Sequence, residues 1–227
     1  ATAAFKAAQS PAGARSSGAL DMAGWDANSL DLVLLATSTP DDLFGSAPKV
    51  QAQIGASNAV AFDLTAACSG FLFALITASQ FLRTGAMHRV LVIGADQLSS
   101  WVDWDDRRSC VLFGDAAGAL LLEACAAEDD GLLGFQMRSD GSRGACLNVP
   151  LSADRATPMA ICAMRRACGI RHVQLILIRL KAGVSHGHLA HSSGYGFDLP
   201  DGNQPSGELS QAMSPNCIRT PMAKVGA

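Results

Sequence analysis

Apolar runs of strand length alternate along the chain with longer segments that have helical length and few chain-breaking residues. The predicted strands are 32–36, 59–64, 89–95, 120–124 and 132–137, and the predicted helices are 19–24, 43–54 and 71–82. Strands that alternate with helices in this way predict an α/β fold with a mostly parallel, doubly wound sheet. The nearly continuous apolar run at 89–95 predicts a strand in the middle of that sheet, buried on both faces.

The stretch 61–85 carries the strongest signal for chemistry. A short apolar strand is followed by a run of small residues around Cys68 and then by a helix that is apolar on almost every face and ends at Gly85. Cys68 therefore falls where a central helix begins, and the unpaired N–H groups and dipole there favour a thiolate over a thiol. This pattern predicts a nucleophile, while simple packing of a buried cysteine is the alternative.

Polar residues follow the first predicted strand directly. The loop 37–42 lies at the carboxyl end of that strand, where α/β folds tend to bind ligands, and Asp41 or Asp42 is expected to cap the helix 43–54. Further along, Gly114 and Gly118 predict a sharp turn or a close backbone approach. Asp115, between them, is expected to be a structural hydrogen-bonding group.

Composition narrows the classes of function. The 227 residues include 17 Lys and Arg against 20 Asp and Glu, so a nucleic-acid-binding surface is not expected. No apolar run is long enough to cross a bilayer. Seven cysteines, an odd number without regular paired spacing, favour a reducing compartment over a disulfide framework. No CxxC pair is present, so a zinc site is not expected. The histidines at 186–191 lack acidic or Cys partners, and solvated loop residues explain them better than a metal site does.

The chain divides by composition into three parts. Residues 1–18 predict an Ala/Ser-rich leader, similar to a transit peptide, or a truncated helix. Residues 19–150 hold the α/β pattern. Residues 151–227 are atypical and partly disordered by composition: 173–180 suits a strand or a short helix, and the sequence beyond 183 cannot bury enough apolar surface to fold alone.

Five segments together resemble the 3-oxoacyl-(acyl-carrier-protein) synthase III family. They are LLATSTPDDLFGSA, FDLTAACSGF, RVLVIGAD, DDRRSCVLFGDAAGALLLEA and DGLLGFQMRSDG. Their order and spacing also match the family, over roughly residues 19–144. The resemblance implies a thiolase-like fold of two similar α/β halves, of which this chain carries mainly the N-terminal half.

The reaction that the resemblance implies initiates fatty-acid biosynthesis. Acetyl-CoA acetylates the cysteine, and malonyl-acyl-carrier protein then loses carbon dioxide and attacks the thioester, giving acetoacetyl-acyl-carrier protein. The implied partners are acetyl-CoA as a substrate, acyl-carrier protein and a second subunit in a homodimer. No cofactor, metal, nucleic acid or membrane is expected. The implied location is the bacterial cytoplasm or the plastid stroma.

The resemblance also assigns residues. Cys68 matches the nucleophile, and Arg107 matches an arginine that lies against the CoA adenine, where a planar guanidinium can stack. Ser38, Leu98 and Phe113 match positions that line the acyl pocket. One further residue, Phe44, matches an aromatic that reaches the partner subunit's pocket. For these last four residues, ordinary packing is the alternative.

The sequence departs from the family at several points. It has no Trp- and Arg-containing segment before residue 19, and it lacks the His-Gln-Ala-Asn and Gly-Asn-Thr motifs whose His and Asn stabilise the enolate. None of His172, His186, His188 and His191 has the family's flanking residues, and neither do Asn203 and Asn216.

The residues after 150 look unrelated to the family. A misread frame, an alternative transcript or a degraded gene would produce such a sequence. The alternative to a condensing enzyme is therefore an incomplete fragment that binds CoA or dimerises. A thiolase, a chalcone-synthase-like enzyme or another cysteine hydrolase fits the motifs less well.

Overall fold

The computed structural model describes residues 9–41, 43–107, 110–139, 174–180 and 217–219. The helices are α1 Gln9–Ala23, α2 Ala47–Ile54 and α3 Gly70–Arg83, and the strands are β1 Leu32–Ala36, β2 Val60–Leu64, β3 Arg89–Gln97, β4 Asp115–Cys125, β5 Leu132–Ser139, β6 Gln174–Leu180 and β7 Cys217–Arg219. The last two strands lie in the part predicted to be atypical. Of the two alternatives for 173–180, a strand or a short helix, the structure shows a strand. The strand β7 pairs with β4.

A five-stranded sheet in the order β2-β1-β3-β4-β7 forms the centre of the fold. The first three strands are parallel, and β4 and β7 are antiparallel to their neighbours. The predicted central strand, β3, is in the middle of the order. β4 is longer than predicted because it pairs with β3 over the full length of that strand, from Arg89 opposite Glu123 to Gln97 opposite Asp115. A separate two-stranded sheet contains β5 and β6.

Both faces of the sheet are covered, as the apolar strands predict. Along β1, Val33 and Leu35 pack with α1 and α2 on one face, whereas Leu32 and Leu34 pack with α3 on the other. Every residue of β1 is buried. Because side chains of a strand alternate between the two faces, a strand that is apolar at every position requires helices on both sides.

The predicted start of α2 is wrong. The helix begins at Ala47 rather than at residue 43, and its first N–H groups are capped by Asp63 of β2, not by Asp41. The Asp63 carboxylate accepts the backbone N–H of Ser46 at 2.7 Å and of Ala47 at 2.6 Å. Gly45, at φ +88°, makes the turn before the helix. Asp41 instead accepts the Ser46 hydroxyl at 3.2 Å, and Asp42 lies outside the described residues.

Two other helices differ from their predicted extent. α1 begins at Gln9, so it is longer than the predicted segment 19–24 and includes the predicted domain boundary after residue 18. α3 starts within one residue of the prediction, and Gly85 follows it at φ +75°. The buried face of α3 is narrower than expected for a helix that is apolar on almost every face. Ala74, Ala78 and Leu82 face the sheet and are fully buried, whereas Leu72 and Phe73 are only half-buried.

The glycines beside β4 do not have the predicted role. Gly114 and Gly118 both lack a positive φ, and a Cβ added at either would meet no atom within 4 Å, so neither marks a tight turn or a close approach. The predicted role of Asp115 is confirmed. Its carboxylate accepts the backbone N–H of Ser99 at 2.8 Å and the Ser99 hydroxyl at 2.7 Å, which ties the loop after β3 to the start of β4.

Within the residues that the structure describes, no helix has the length and apolar character needed to cross a membrane.

Candidate active site

Cys68 lies in a single 3₁₀ turn, Ala67–Ser69, between the end of β2 and the start of α3. Its side chain is exposed. The helix begins beside the sheet because Phe71 packs over Gly94 of β3, where an added Cβ would come within 3.1 Å of the ring. At the same end of the sheet, a Cβ at Gly70 would be 3.5 Å from the Ala36 methyl group. The thiol is thus presented at the carboxyl edge of the parallel strands.

The backbone just before the thiol is strained. Ala67 has φ +46°, and it is the one non-glycine residue with a positive φ in the described part of the chain. The left-handed region costs a residue that has a Cβ on the order of 1–3 kcal/mol, so the surrounding structure must impose it. In this turn, the Ser69 N–H donates to the Ala66 carbonyl at 3.2 Å, and the Gly70 N–H donates to the Ala67 carbonyl.

Substitution of Ala67 tests whether this conformation presents the thiol. Ala67→Val is expected to lower the free energy of unfolding by about 1–3 kcal/mol and to slow alkylation of Cys68, because a β-branched residue is a genuine outlier at positive φ. Ala67→Gly should change stability by less than about 1 kcal/mol and leave alkylation unchanged, since glycine adopts this region freely. Urea unfolding and iodoacetamide labelling rates measure both. Equal labelling of the two variants would contradict the expectation.

The topology brings all the predicted site residues to one edge of the sheet. Ser38 follows β1, Cys68 follows β2 and Leu98 follows β3, and these three strands are parallel. β4 runs the opposite way, so its start, and Phe113 just before it, lie at the same edge. Arg107 is exposed and lies in the connection between the end of β3 and the start of β4.

These residues are spread along the edge rather than gathered at one point. Phe44 is 95% exposed and lies on the β2 side, since the adjacent Gly45 faces the Asp63 carboxylate. Phe113 is half-buried on the β4 side, and β4 is three strands away from β2 in the order of the sheet. Exposed Ser38 and half-buried Leu98 lie between them.

Sequence reasoning missed two carboxylates that organise this edge. Asp63 fixes the start of α2, and Asp96 of β3 accepts three hydrogen bonds from the loop after β1. Asp63 is an acidic residue in an otherwise apolar strand, and Asp96 directly follows the apolar run at 90–95. An ionised carboxylate in such a position needs a nearby donor, so this pattern is the signal that could have identified them.

Among the described residues, no group of three or more His, Cys, Asp or Glu side chains could hold a metal ion. The histidines at 186–191 lie outside the described residues.

Comparison with known proteins finds a family model and several relatives that are similar to part of this chain. Residues 62–141 match the family model described as 3-Oxoacyl-[acyl-carrier-protein (ACP)] synthase III. The beta-ketoacyl-(acyl-carrier-protein) synthase III of Synechococcus sp. (strain RCC307) is 75% identical over 138 residues, which is 61% of this chain and 41% of that protein. The same enzyme of Synechococcus sp. (strain WH7803) is 69% identical over 155 residues, which is 68% of this chain and 45% of that protein.

Solved structures agree with the sequence matches. The 3-oxoacyl-(acyl-carrier-protein) synthase III of Aquifex aeolicus superposes with a TM-score of 0.59 at 43% identity, over 61% of this chain and 45% of that one. The enzyme of Pseudomonas aeruginosa gives a TM-score of 0.62 at 38% identity, over 68% of this chain and 49% of that one. The predicted thiolase-like fold and the predicted resemblance are confirmed. The chain spans less than half the length of these relatives.

Proposed function

We propose that this chain, whose residues 62–141 match the family model of 3-oxoacyl-(acyl-carrier-protein) synthase III, takes an acetyl group from acetyl-CoA onto Cys68. The position of the thiol carries this proposal, because it is exposed in a strained turn at the sheet edge and lies within the matched region. The Cys68 sulfur attacks the thioester carbonyl carbon, the bond to the CoA sulfur breaks, and the CoA thiolate leaves and takes up a proton.

The backbone supports the negative charge that this step develops. Within the described residues, the N–H of Cys68 makes no hydrogen bond, whereas the N–H groups of the next two residues are already paired inside the turn. This N–H can donate a hydrogen bond to the oxyanion of the tetrahedral intermediate. Removal of one such donor costs other enzymes about 100- to 1,000-fold in rate, so this N–H contributes substantially to the proposed acylation.

We further propose that the chain does not complete condensation by itself. In the family's second step, malonyl-acyl-carrier protein loses carbon dioxide, the resulting enolate carbon attacks the thioester, and the cysteine thiolate leaves. The His and Asn motifs that stabilise the enolate are missing from this sequence. The chain is therefore proposed as the acyl-accepting part of a fatty-acid initiation enzyme, with acetyl-CoA bound against Arg107 and acyl-carrier protein as the partner in the second step.

The proposed assembly is a homodimer built through β2. Within the described strands, β2 is the outermost member of the five-stranded sheet, so its outer edge has no neighbour. Val60 at the start of β2 is 56% exposed, and Phe44, near the other end of that strand, is almost fully exposed. An open strand edge next to exposed apolar residues favours pairing with another chain. Sedimentation equilibrium at micromolar concentrations checks this prediction, and a monomer would contradict it.

Acetyl transfer and condensation can be tested separately. Purified chain incubated with acetyl-CoA is expected to gain one acetyl group, and peptide mass spectrometry should locate it at Cys68. Addition of malonyl-acyl-carrier protein is expected to give no acetoacetyl product. Label at another residue, or no label at all, would overturn the acyl-accepting role. Steady formation of acetoacetyl product would overturn the proposal that the chain cannot condense.

A further inference from the structure

The loop after β1, Thr37–Thr39, is hydrogen-bonded to a single carboxylate oxygen of β3. Oδ1 of Asp96 accepts the backbone N–H of Ser38 at 2.7 Å. The same oxygen accepts the hydroxyl of Thr39 at 3.2 Å and the hydroxyl of Thr37 at 3.3 Å. Hydrogen bonds to an ionised acceptor are about twice as strong as neutral ones, so these contacts hold three consecutive residues against one strand.

The two threonine hydroxyls also accept hydrogen bonds. Thr37 Oγ1 accepts the Thr39 N–H at 3.0 Å, and Thr39 Oγ1 accepts the Gln97 N–H at 2.8 Å. Both threonines are buried, with 6% and 7% exposure, whereas Ser38 between them is exposed. Since each hydroxyl is engaged as donor and as acceptor, the loop has one favoured orientation, with Ser38 outward.

This loop adjoins the turn that carries Cys68. The Thr37 N–H donates to the Leu64 carbonyl at 3.1 Å, at the end of the strand that leads into the turn. On the other side of the turn, Gly70 approaches Ala36, the residue before Thr37. A displacement of the Thr37–Thr39 loop would therefore change the surface on which a chain attached to Cys68 lies.

We infer that Asp96 is a positioning residue that shapes the surface beside Cys68 and so sets which chain lengths the thiol accepts. This inference rests on the proposed function, because it concerns the same thiol. Asp96 acts through Ser38 and its neighbours and is not proposed to touch the reacting atoms. Its loss should change chain-length preference while leaving the intrinsic reactivity of Cys68 toward a small reagent unchanged.

Alkyl methanethiosulfonates test this without any need for CoA binding. The thiolate attacks the sulfenyl sulfur, a disulfide forms and methanesulfinate leaves, so methyl and octyl reagents differ only in the chain delivered. Rates at Cys68 are measured on the full chain by peptide mass spectrometry and divided by those for N-acetylcysteine. The variants are Asp96→Ala, Asp96→Asn, which keeps one acceptor oxygen, and Thr39→Val, which keeps the carboxylate.

Asp31→Ala is the matched control. The Asp31 carboxylate accepts the backbone N–H groups of His88 at 2.7 Å and Arg89 at 2.9 Å, at the opposite end of the same sheet. Asp31→Ala therefore removes a comparable set of hydrogen bonds to a carboxylate, at the end of the sheet away from Cys68. Circular dichroism and urea unfolding establish that each variant is folded before its rates are compared.

In Asp96→Ala, the methyl-to-octyl ratio should move toward that of free thiol by at least about threefold, the size expected for losing ordinary hydrogen bonds. Thr39→Val should shift it the same way, Asp96→Asn should restore most of the wild-type ratio, and Asp31→Ala should leave it unchanged. A wild-type ratio equal to that of free thiol, or equal shifts in Asp96→Ala and Asp31→Ala, would overturn the inference. If acetyl-CoA fails to label Cys68 while these ratios still shift as expected, only the proposed function fails.

Discussion

Arg83→Met is expected to lower the free energy of unfolding by about 3–5 kcal/mol, because it removes the arginine that neutralises the buried Asp130 carboxylate. Arg83, at the end of α3, donates to Asp130 at 2.7 Å and to the Leu132 carbonyl at 2.8 Å. The two charged side chains are only 10% and 7% exposed. This pair joins the helix that follows Cys68 to the start of β5, so its loss should loosen both elements.

A double variant separates the cost of burying Asp130 without Arg83 from the contribution of the ion pair itself. Arg83→Met combined with Asp130→Leu should recover most of the lost stability, since apolar residues of similar volume often replace a buried ion pair at little cost. Arg89→Met is the matched control for a more exposed arginine. Arg89 is 3.8 Å from Glu123 with 39% of its side chain exposed, and it stacks on Trp25 at 4.4 Å. Its replacement should cost about 1 kcal/mol.

Urea unfolding followed by circular dichroism and tryptophan fluorescence gives these free energies. If Arg83→Met costs no more than Arg89→Met, then the Arg83–Asp130 pair is effectively solvated and the expected magnitude is wrong. Recovery in the double variant is the sharper criterion. A double variant as unstable as Arg83→Met would show that the loss comes from the missing ion pair and not from burial of the Asp130 charge without Arg83.

The sequence determines the strands of this fold more closely than the helix ends. β1 was predicted to the residue, because a run that is apolar at every position fits only a strand covered on both faces. The start of α2 was missed because its cap, Asp63, comes from a strand that begins after the helix ends. Local sequence cannot show a hydrogen bond made by another element, and Asp41 fitted the local pattern equally well.

Of the candidate site too, local sequence predicts one part, and the rest depends on the three-dimensional fold. The position of Cys68 follows from local sequence, since a strand, small residues and a helix must place it at the sheet edge. Which other side chains share that edge depends on strand direction, and the antiparallel course of β4 brings Phe113 there. The positive φ of Ala67 leaves no trace in the residue type, because left-handed backbone usually selects glycine or asparagine. Strain of this kind appears only in three dimensions.

Cys68→Ala is expected to reduce acetyl incorporation from acetyl-CoA to less than about 1% of that of the unchanged chain, because among the cysteines that the structure describes Cys68 is the exposed one. Cys68→Ser should also fall far below the unchanged chain, since a hydroxyl is a weak nucleophile without an adjacent base. Cys110→Ala is the matched control. Cys110 is a free, half-buried cysteine in the connection before β4, so its removal should leave incorporation unchanged.

Intact-protein mass spectrometry gives the extent of acetylation, and peptide mapping gives its position. These readouts separate transfer to Cys68 from slow chemical acetylation of lysines, which all four proteins share. Three features together predict that one residue accounts for the transfer: the exposed thiol, the strained turn before it, and a Cys68 N–H that makes no hydrogen bond within the described residues. Persistent acetylation in Cys68→Ala together with a loss in Cys110→Ala would assign the nucleophile to the loop before β4 instead.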